Sequence, residues 1–333
     1  MKSKSGINES VIEWLLEKES PSVRYWALQD LLGLSPNSSE VTDAREGIND
    51  SRVTKKILDA QQPEGFWVHE DDMYLPKYKA TTHQLLILAE LGAVRTPNVE
   101  KGIEQIFRFQ RNSGHFLTKL PKSKRGRDSV VKDGCCLDGN ILFYLIHFGY
   151  YVDPRTMRLM DFIIDYHDSE NSGWPCRAYP INPEAVFPVN CYMGSTKILK
   201  ALSFLPKNER VGSINQIVEA ETEKILANYV FKYLRNPDGS RKDKAGWKRF
   251  GFPLFYQSDV IEVLDTLTRL GVKDERMGPA IRLVEKARGR DGKWLMKDSF
   301  NGKMWIDIEE KNKASKWITL RAMRILERYY HDS

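Results

Sequence analysis

The residues of this 333-residue chain best suited to chemistry are four cysteines, Cys135, Cys136, Cys176 and Cys191, all in its middle third. A thiolate is both nucleophile and metal ligand, and a helix N-terminus lowers the pKa of a thiol placed there. Cys135 and Cys136 open one apolar helical stretch and Cys191 opens the next, while Cys176 lies in the connection Gly173-Trp174-Pro175-Cys176 between them. Zinc takes about four sulfur, nitrogen or oxygen ligands, and a catalytic zinc keeps one position open. Cys136, Cys176 and Cys191 could supply three, with Asp133, Cys135 or His83 as a fourth. The alternative is that the thiols pack as small apolar residues, as buried cysteines commonly do. A disulfide framework would be denser in cysteine, so a reducing interior is expected.

For these residues to meet, the helices that carry them must be neighbours running the same way. An internal repeat provides for that. Segments 22–33, 82–92, 136–149, 191–206, 258–271 and 315–328 are each a helical apolar stripe, and their ends fall 57 to 65 residues apart. Between them lie more polar stretches at 98–110, 154–167, 211–234 and 275–288, with apolar residues recurring at three and four, the helical period. No stretch shows sustained period-two alternation, so strands are expected to be few. Loops such as Gln61-Gln62-Pro63-Glu64-Gly65-Phe66-Trp67, Gln110 to Phe116, Ser172-Gly173-Trp174 and Asp291-Gly292-Lys293-Trp294 place a glycine turn before an aromatic residue. That aromatic is expected to fold back as a wedge between neighbouring units. The inner stripes are apolar on most faces and the terminal units are no more polar than the rest, which favours closure into a ring. The expected fold is all-α: an α/α toroid of six helix pairs with an inner and an outer ring. It would span residues 11–330 as one domain behind a polar tail of residues 1–10.

The Gln-x-x-x-Gly-x-Trp loop resembles the QW repeats of squalene cyclases and other class II terpene cyclases. The helix pairs resemble the prenyltransferase and squalene-oxidase repeat. Over nearly its whole length the chain is similar to the terpenoid-cyclase and protein-prenyltransferase superfamily, most of all to its prokaryotic members. The resemblance implies the α/α toroid and a lipophilic, isoprenoid-like substrate in a central cavity, with zinc as the implied cofactor. Class II cyclases protonate their substrate with Asp-x-Asp-Asp. Here Glu70-Asp71-Asp72 lacks that spacing, and Asp307-Ile308-Glu309-Glu310 carries Glu within a charged loop expected to be solvated. The zinc of protein prenyltransferases sits on Asp-x-Cys and a later His. Asp133-Gly134-Cys135 matches the first element, whereas Val189 stands where the His would be expected.

The starts of the inner helices would define the rim of the cavity. Tyr78, Trp247, Phe252, Tyr256, Asp259 and Trp317 are the expected substrate-binding residues, and His83 and Asp133 the candidates for catalysis. Basic loops at 119–127 and 241–249 precede inner helices and could draw an anionic ligand, such as a diphosphate, or an acidic partner to the mouth. His115 and His167, beside loops, are expected to be solvated. The balance of 51 Lys+Arg against 45 Asp+Glu, +6 overall, is too mild for a dedicated nucleic-acid binder. The chain has no phosphate loop, dinucleotide fingerprint, nucleophile elbow or His-Glu-x-x-His element. No apolar run approaches the ~20 residues needed to span a bilayer, and residues 1–8 lack a signal-peptide core, so a cytoplasmic protein is expected. Two functions stand against each other: an enzyme acting on a lipophilic substrate, and a non-catalytic toroid binding a peptide, a protein partner or a small molecule.

Overall fold

Proline in the first turn, a side-chain oxygen at the N-cap and glycine past the end recur along the chain, and they set where its helices begin and stop. The computed structural model describes residues 9–121, 134–170, 172–175, 190–234 and 240–331. Its α-helices are α1 (Glu9–Leu15), α2 (Pro21–Asp30), α3 (Ser39–Asp50), α4 (Arg52–Leu58), α5 (Thr81–Leu91), α6 (Pro97–Phe107), α7 (Cys135–His147), α8 (Pro154–Asp165), α9 (Tyr192–Ser203), α10 (Gly212–Ala227), α11 (Val260–Arg269), α12 (Gly278–Lys286) and α13 (Lys316–Tyr330).

Helices α5, α7, α9, α11 and α13 pack each on the next, and α13 packs on α2. The ring closes between α2 and α5, where the Trp26 indole N–H donates to the Glu90 carbonyl at 3.2 Å. Outside this inner ring, α3 covers α2, α6 covers α5, α8 covers α7, α10 covers α9 and α12 covers α11. Helix α1, from the other end of the chain, packs on α13 and completes the outer ring. This is an α/α toroid. The expected outer helix at 211–234 stops at Ala227, because Tyr229 and Val230 take positive φ values of 48° and 71°. The chain then forms strand β1 (Lys232–Leu234), which pairs antiparallel with β2 (Arg241–Asp243).

The glycine–aromatic loops repeat as geometry. The Gln61 amide donates to the Gly65 carbonyl at 2.8 Å and the Asn98 carbonyl at 2.9 Å, and Gln110 does the same to Gly114 and Arg155 at 2.8 and 2.7 Å. The indole N–H groups of Trp67, Trp174 and Trp294 donate to the carbonyls of Ile57 in α4, Ile163 in α8 and Val284 in α12, the helices that precede them, at 2.8, 2.8 and 2.7 Å. The backbone N–H groups of Trp67, Phe116 and Trp294 donate to side-chain oxygens of Thr81, Asp138 and Thr319 on the following inner helices, each at 3.0 Å. Trp67 and Trp294 each make both bonds and so tie the preceding helix to the next inner one. At Gly65 and Gly114 only glycine fits: φ is 103° and 101°, and a Cβ would lie 2.6 Å from the Lys101 carbonyl oxygen and 2.0 Å from that of Arg158.

The axis of the ring is not apolar. Lys197 and Lys200 of α9 both bind the Glu262 carboxylate of α11, at 2.6 and 3.1 Å. Lys200 and Arg321 of α13 both bind Glu90 of α5. Below them, Arg324 and Arg328 of α13 bridge Asp265 of α11 and Asp30 of α2. Burial alone would raise the Glu262 carboxyl, but Lys197 and Lys200 hold it at about 2. Removing one member strands a buried charge, which typically costs about 3–5 kcal/mol. Glu262→Leu and Lys197→Met are each expected to lower the unfolding free energy by that order, read as a lower urea midpoint, and the double variant to recover part of the loss. Unchanged midpoints in both single variants would mean the network does not hold the ring together.

Candidate functional site

Because the inner helices run parallel, their N-termini share one face of the toroid. There the first turns of α5, α7 and α9 and the connection before α11 enclose a cavity of about 390 Å³. Leu86, Leu137, Met193 and Phe255 give it apolar walls, Tyr74 and Tyr256 aromatic ones, and His83, Asn140, Cys136, Cys191 and Lys77 its main polar groups.

His83 sits in the first turn of α5 and is 3% exposed. Its ring is clamped by Tyr74, Phe255 and Tyr78, with centroids at 4.9, 5.2 and 5.8 Å. Its Nδ1 has no hydrogen-bond partner among the described residues. Burial, and then the nearby Lys77 charge, lowers its pKa to about 3, so the ring is neutral near pH 7. Across the cavity the Asn140 amide of α7 donates to the Phe255 carbonyl at 3.0 Å. Lys77 is exposed, its ammonium 5.2 Å from the centre of the Tyr256 ring.

The three described cysteines do come together. A Cβ placed on Gly194 of α9 would lie 3.4 Å from the Cys135 Cβ and 3.7 Å from the Cys191 Cβ, and 3.8 Å from the Cys136 nitrogen. Cys135 is buried in the core, while Cys136 and Cys191 are partly exposed on the cavity wall. Asp133 and Cys176 lie outside the described residues. Among the described residues no three His, Cys, Asp or Glu side chains gather closely enough to hold a metal ion. A zinc site would need ligands beyond the two cavity cysteines.

The other expected site residues are dispersed. Tyr256 lines the cavity. Tyr78 stands behind His83, stacked on Phe300 at 4.4 Å. Trp247 and Asp259 border a separate cavity of about 190 Å³. Asp259 caps α11, accepting from the Glu262 and Gly251 N–H groups at 2.8 and 2.9 Å, and burial raises its pKa to about 7. Phe252 and Trp317 are buried and stack on each other at 4.1 Å, so Phe252 faces neither cavity. In the basic loop 241–249, Lys244 turns inward over the Tyr192 ring at 3.2 Å, and burial followed by Lys224 lowers its pKa to about 7. Most of the basic loop 119–127 lies outside the described residues. His115 and His167 are not solvated: His115 is buried, and the His167 Nε2 lies 2.8 Å from the buried Glu221 carboxylate. Glu309 likewise leaves its charged loop to accept from the Lys316 N–H at 2.8 Å at the start of α13, because its carboxylate satisfies an otherwise open helix end. The sequence did not single out Asn140 or Leu86. Asn140 is one turn beyond Cys136 and Leu86 one turn beyond His83, on the same helix faces, and that spacing is the signal that could have found them.

No protein-family model matches the chain, and no curated protein matches it. Among solved structures, a type II terpene cyclase variant from Scytonema in complex with geranylgeranyl dihydroxybenzoate is similar at 12% identity and a TM-score of 0.46, covering 93% of this chain and 86% of that one. A family 76 glycoside hydrolase from a bovine Bacteroides thetaiotaomicron strain is similar at 10% identity and 0.48, covering 95% and 68%. A protein from Actinoplanes is similar at 13% and 0.45, covering 92% and 89%. At such identities and scores these likenesses assign no function. No helix among the described residues is long and apolar enough to cross a membrane.

The buried histidines give the fold an acid-side dependence. Burial lowers His83 to about 3 and His147 to about 4, both below the usual histidine value. The unfolded chain therefore binds protons first, and stability is lost as pH falls below about 6.5, by about 1.4 kcal/mol per pH unit for each histidine. His83→Phe is expected to flatten the fall in urea-unfolding free energy between about pH 6.5 and 5 relative to the parent; the raised Asp259 carboxyl acts in both proteins and drops out of that comparison. Equal slopes in variant and parent would contradict a His83 buried as the neutral ring.

Proposed function

We propose that the protein binds a lipophilic small molecule, isoprenoid-like in size and apolarity, in the cavity at the N-terminal mouth of the inner ring. The observation that carries this reading is a chamber of about 390 Å³ whose described walls are mainly aliphatic and aromatic, with the buried His83 ring among them. Ligand sites are typically concave and apolar with a few placed polar groups, and this volume falls in their usual range of about 300–1,000 Å³. A ligand would enter from one side only. Glu90 lies seven residues beyond His83 on α5, about 10 Å deeper along the helix, and there the charged network fills the axis. The exposed Lys77 at the rim would attract anionic molecules to the mouth.

Zinc enters as a subsidiary proposal. Cys136 and Cys191 border the cavity, and Asp133 and Cys176 would have to complete the ligand set. An ion held there would polarise a ligand oxygen. Capture of the lipophile does not depend on it.

Leu86→Trp and Met193→Trp would fill the chamber from two sides. Each is expected to weaken binding of an uncharged, environment-sensitive fluorescent dye at least tenfold while leaving the helical circular dichroism unchanged. Undiminished binding in both folded variants would place the dye, and the function, elsewhere. Elemental analysis of protein purified without a metal column tests the ion: about one zinc per chain, lost in Cys136→Ser and Cys191→Ser, is expected. No metal after incubation with zinc would leave the thiols as packing groups.

A further inference from the structure

The polar groups of the cavity specify the chemistry at the ligand's end. The Phe255 carbonyl can only accept a hydrogen bond, so the Asn140 group 3.0 Å away is its amide nitrogen. The Asn140 Oδ1 is thereby turned from Phe255 and offered as an acceptor by a residue that lines the cavity and is 8% exposed. His83, 3% exposed, meets the ring of the same Phe255 at 5.2 Å and has its Nδ1 unpartnered among the described residues. Two buried polar groups of the lining are thus both held against one aromatic residue, Phe255.

Neither group is charged, and the described lining contains no Asp or Glu. Its one cation among the described residues, Lys77, is exposed at the rim. A phosphate beside Asn140 and His83 would lose its water opposite a carbonyl oxygen that repels it. An ammonium would lose its water with no carboxylate among the described lining residues to meet it. Burying either unpaired is strongly unfavourable. A hydroxyl suits both groups: its O–H donates to Asn140 Oδ1 while its oxygen accepts from the ring N–H that neutral His83 presents to the cavity.

Resting on the cavity reading above, we propose that the ligand is an apolar alcohol whose hydroxyl is received between Asn140 and His83, and not the phosphate or ammonium form of the same chain. A site built to hydrogen-bond a hydroxyl rejects analogues that cannot return the bond.

Isothermal titration of the full chain with geraniol, geranyl methyl ether and geranyl phosphate tests this. Geraniol is expected to bind at least tenfold more tightly than either of the others. Asn140→Leu is expected to bring geraniol to the level of the ether and leave the ether unchanged. Should that variant fail to fold, with the Phe255 carbonyl left unpaired, His83→Phe asks the same question in a ring of similar shape. Ether binding equal to geraniol, or a geraniol preference that survives the variants, would overturn the assignment while leaving a lipophile cavity in place. Phosphate binding as tight as the alcohol would overturn it in favour of an anion site. Failure of all three to bind would overturn the cavity reading itself, and this inference with it.

Discussion

Five inner helices of this toroid are joined at its axis by charges that have been taken out of water. Lys197, Lys200, Glu90, Glu262 and Arg321 form one layer, and Asp30, Asp265, Arg324 and Arg328 a second. Such an arrangement is tolerable only if the partners stay in place, since the desolvation of each ion is offset by its neighbours and by nothing else. The helices are therefore held at fixed rotation about their own axes: turning α9 would withdraw Lys197 and Lys200 from α11 and α5 together. An aliphatic axis would be more forgiving, because apolar contacts can slide and repack. The positions of the α5, α9 and α11 starts at the mouth follow from this constraint, and α7 is set by its packing between α5 and α9.

That rigidity separates the two ends of the inner ring. At the deeper end the side chains are charged and paired with one another across the axis. At the N-terminal end the same helices present leucine, methionine, phenylalanine, an amide, an imidazole and two thiols around open space. The outer helices and aromatic wedges take no direct part in the cavity. Their work is to fix the spacing of the inner helices, through the repeated indole bonds to carbonyls of the preceding helices and the backbone bonds to inner-helix side chains. Chemistry at the mouth and stability at the axis use different residues of the same helices, so one can vary without the other.

Much of the fold was legible in the sequence, because the inner helices are long apolar runs with recurrent stops and the wedges recur in register. The end of α10 was not, since Tyr229 and Val230 leave the helix without a glycine or proline to announce it. The axial charges were visible as residues but not as partners. Lys197 and Lys200, Glu262 and Asp265, and Arg321 and Arg324 each stand three apart on otherwise apolar helices, a regularity that marks a shared face but not the face it meets. At the site, His83 and the cysteines were found because they open helices. Asn140 and Leu86, one turn further in, were passed over. Phe252 shows the opposite limit: an aromatic near a helix start can stack within the core as readily as line a mouth, and residue type does not distinguish the two.

Helix α1 covers α13, so the first and last helices of the fold are adjacent in space. An open stack of helix pairs could fold progressively as it leaves the ribosome, each unit docking on the one before. A closed ring cannot finish that way. Until α13 has emerged, α2 and α11 each lack a flank, Glu90 lacks Arg321, and Asp30 and Asp265 lack Arg324 and Arg328. Nearly the whole chain must then be held with charged and apolar surfaces uncovered, and the final helix acts as a keystone whose arrival completes both rings at once.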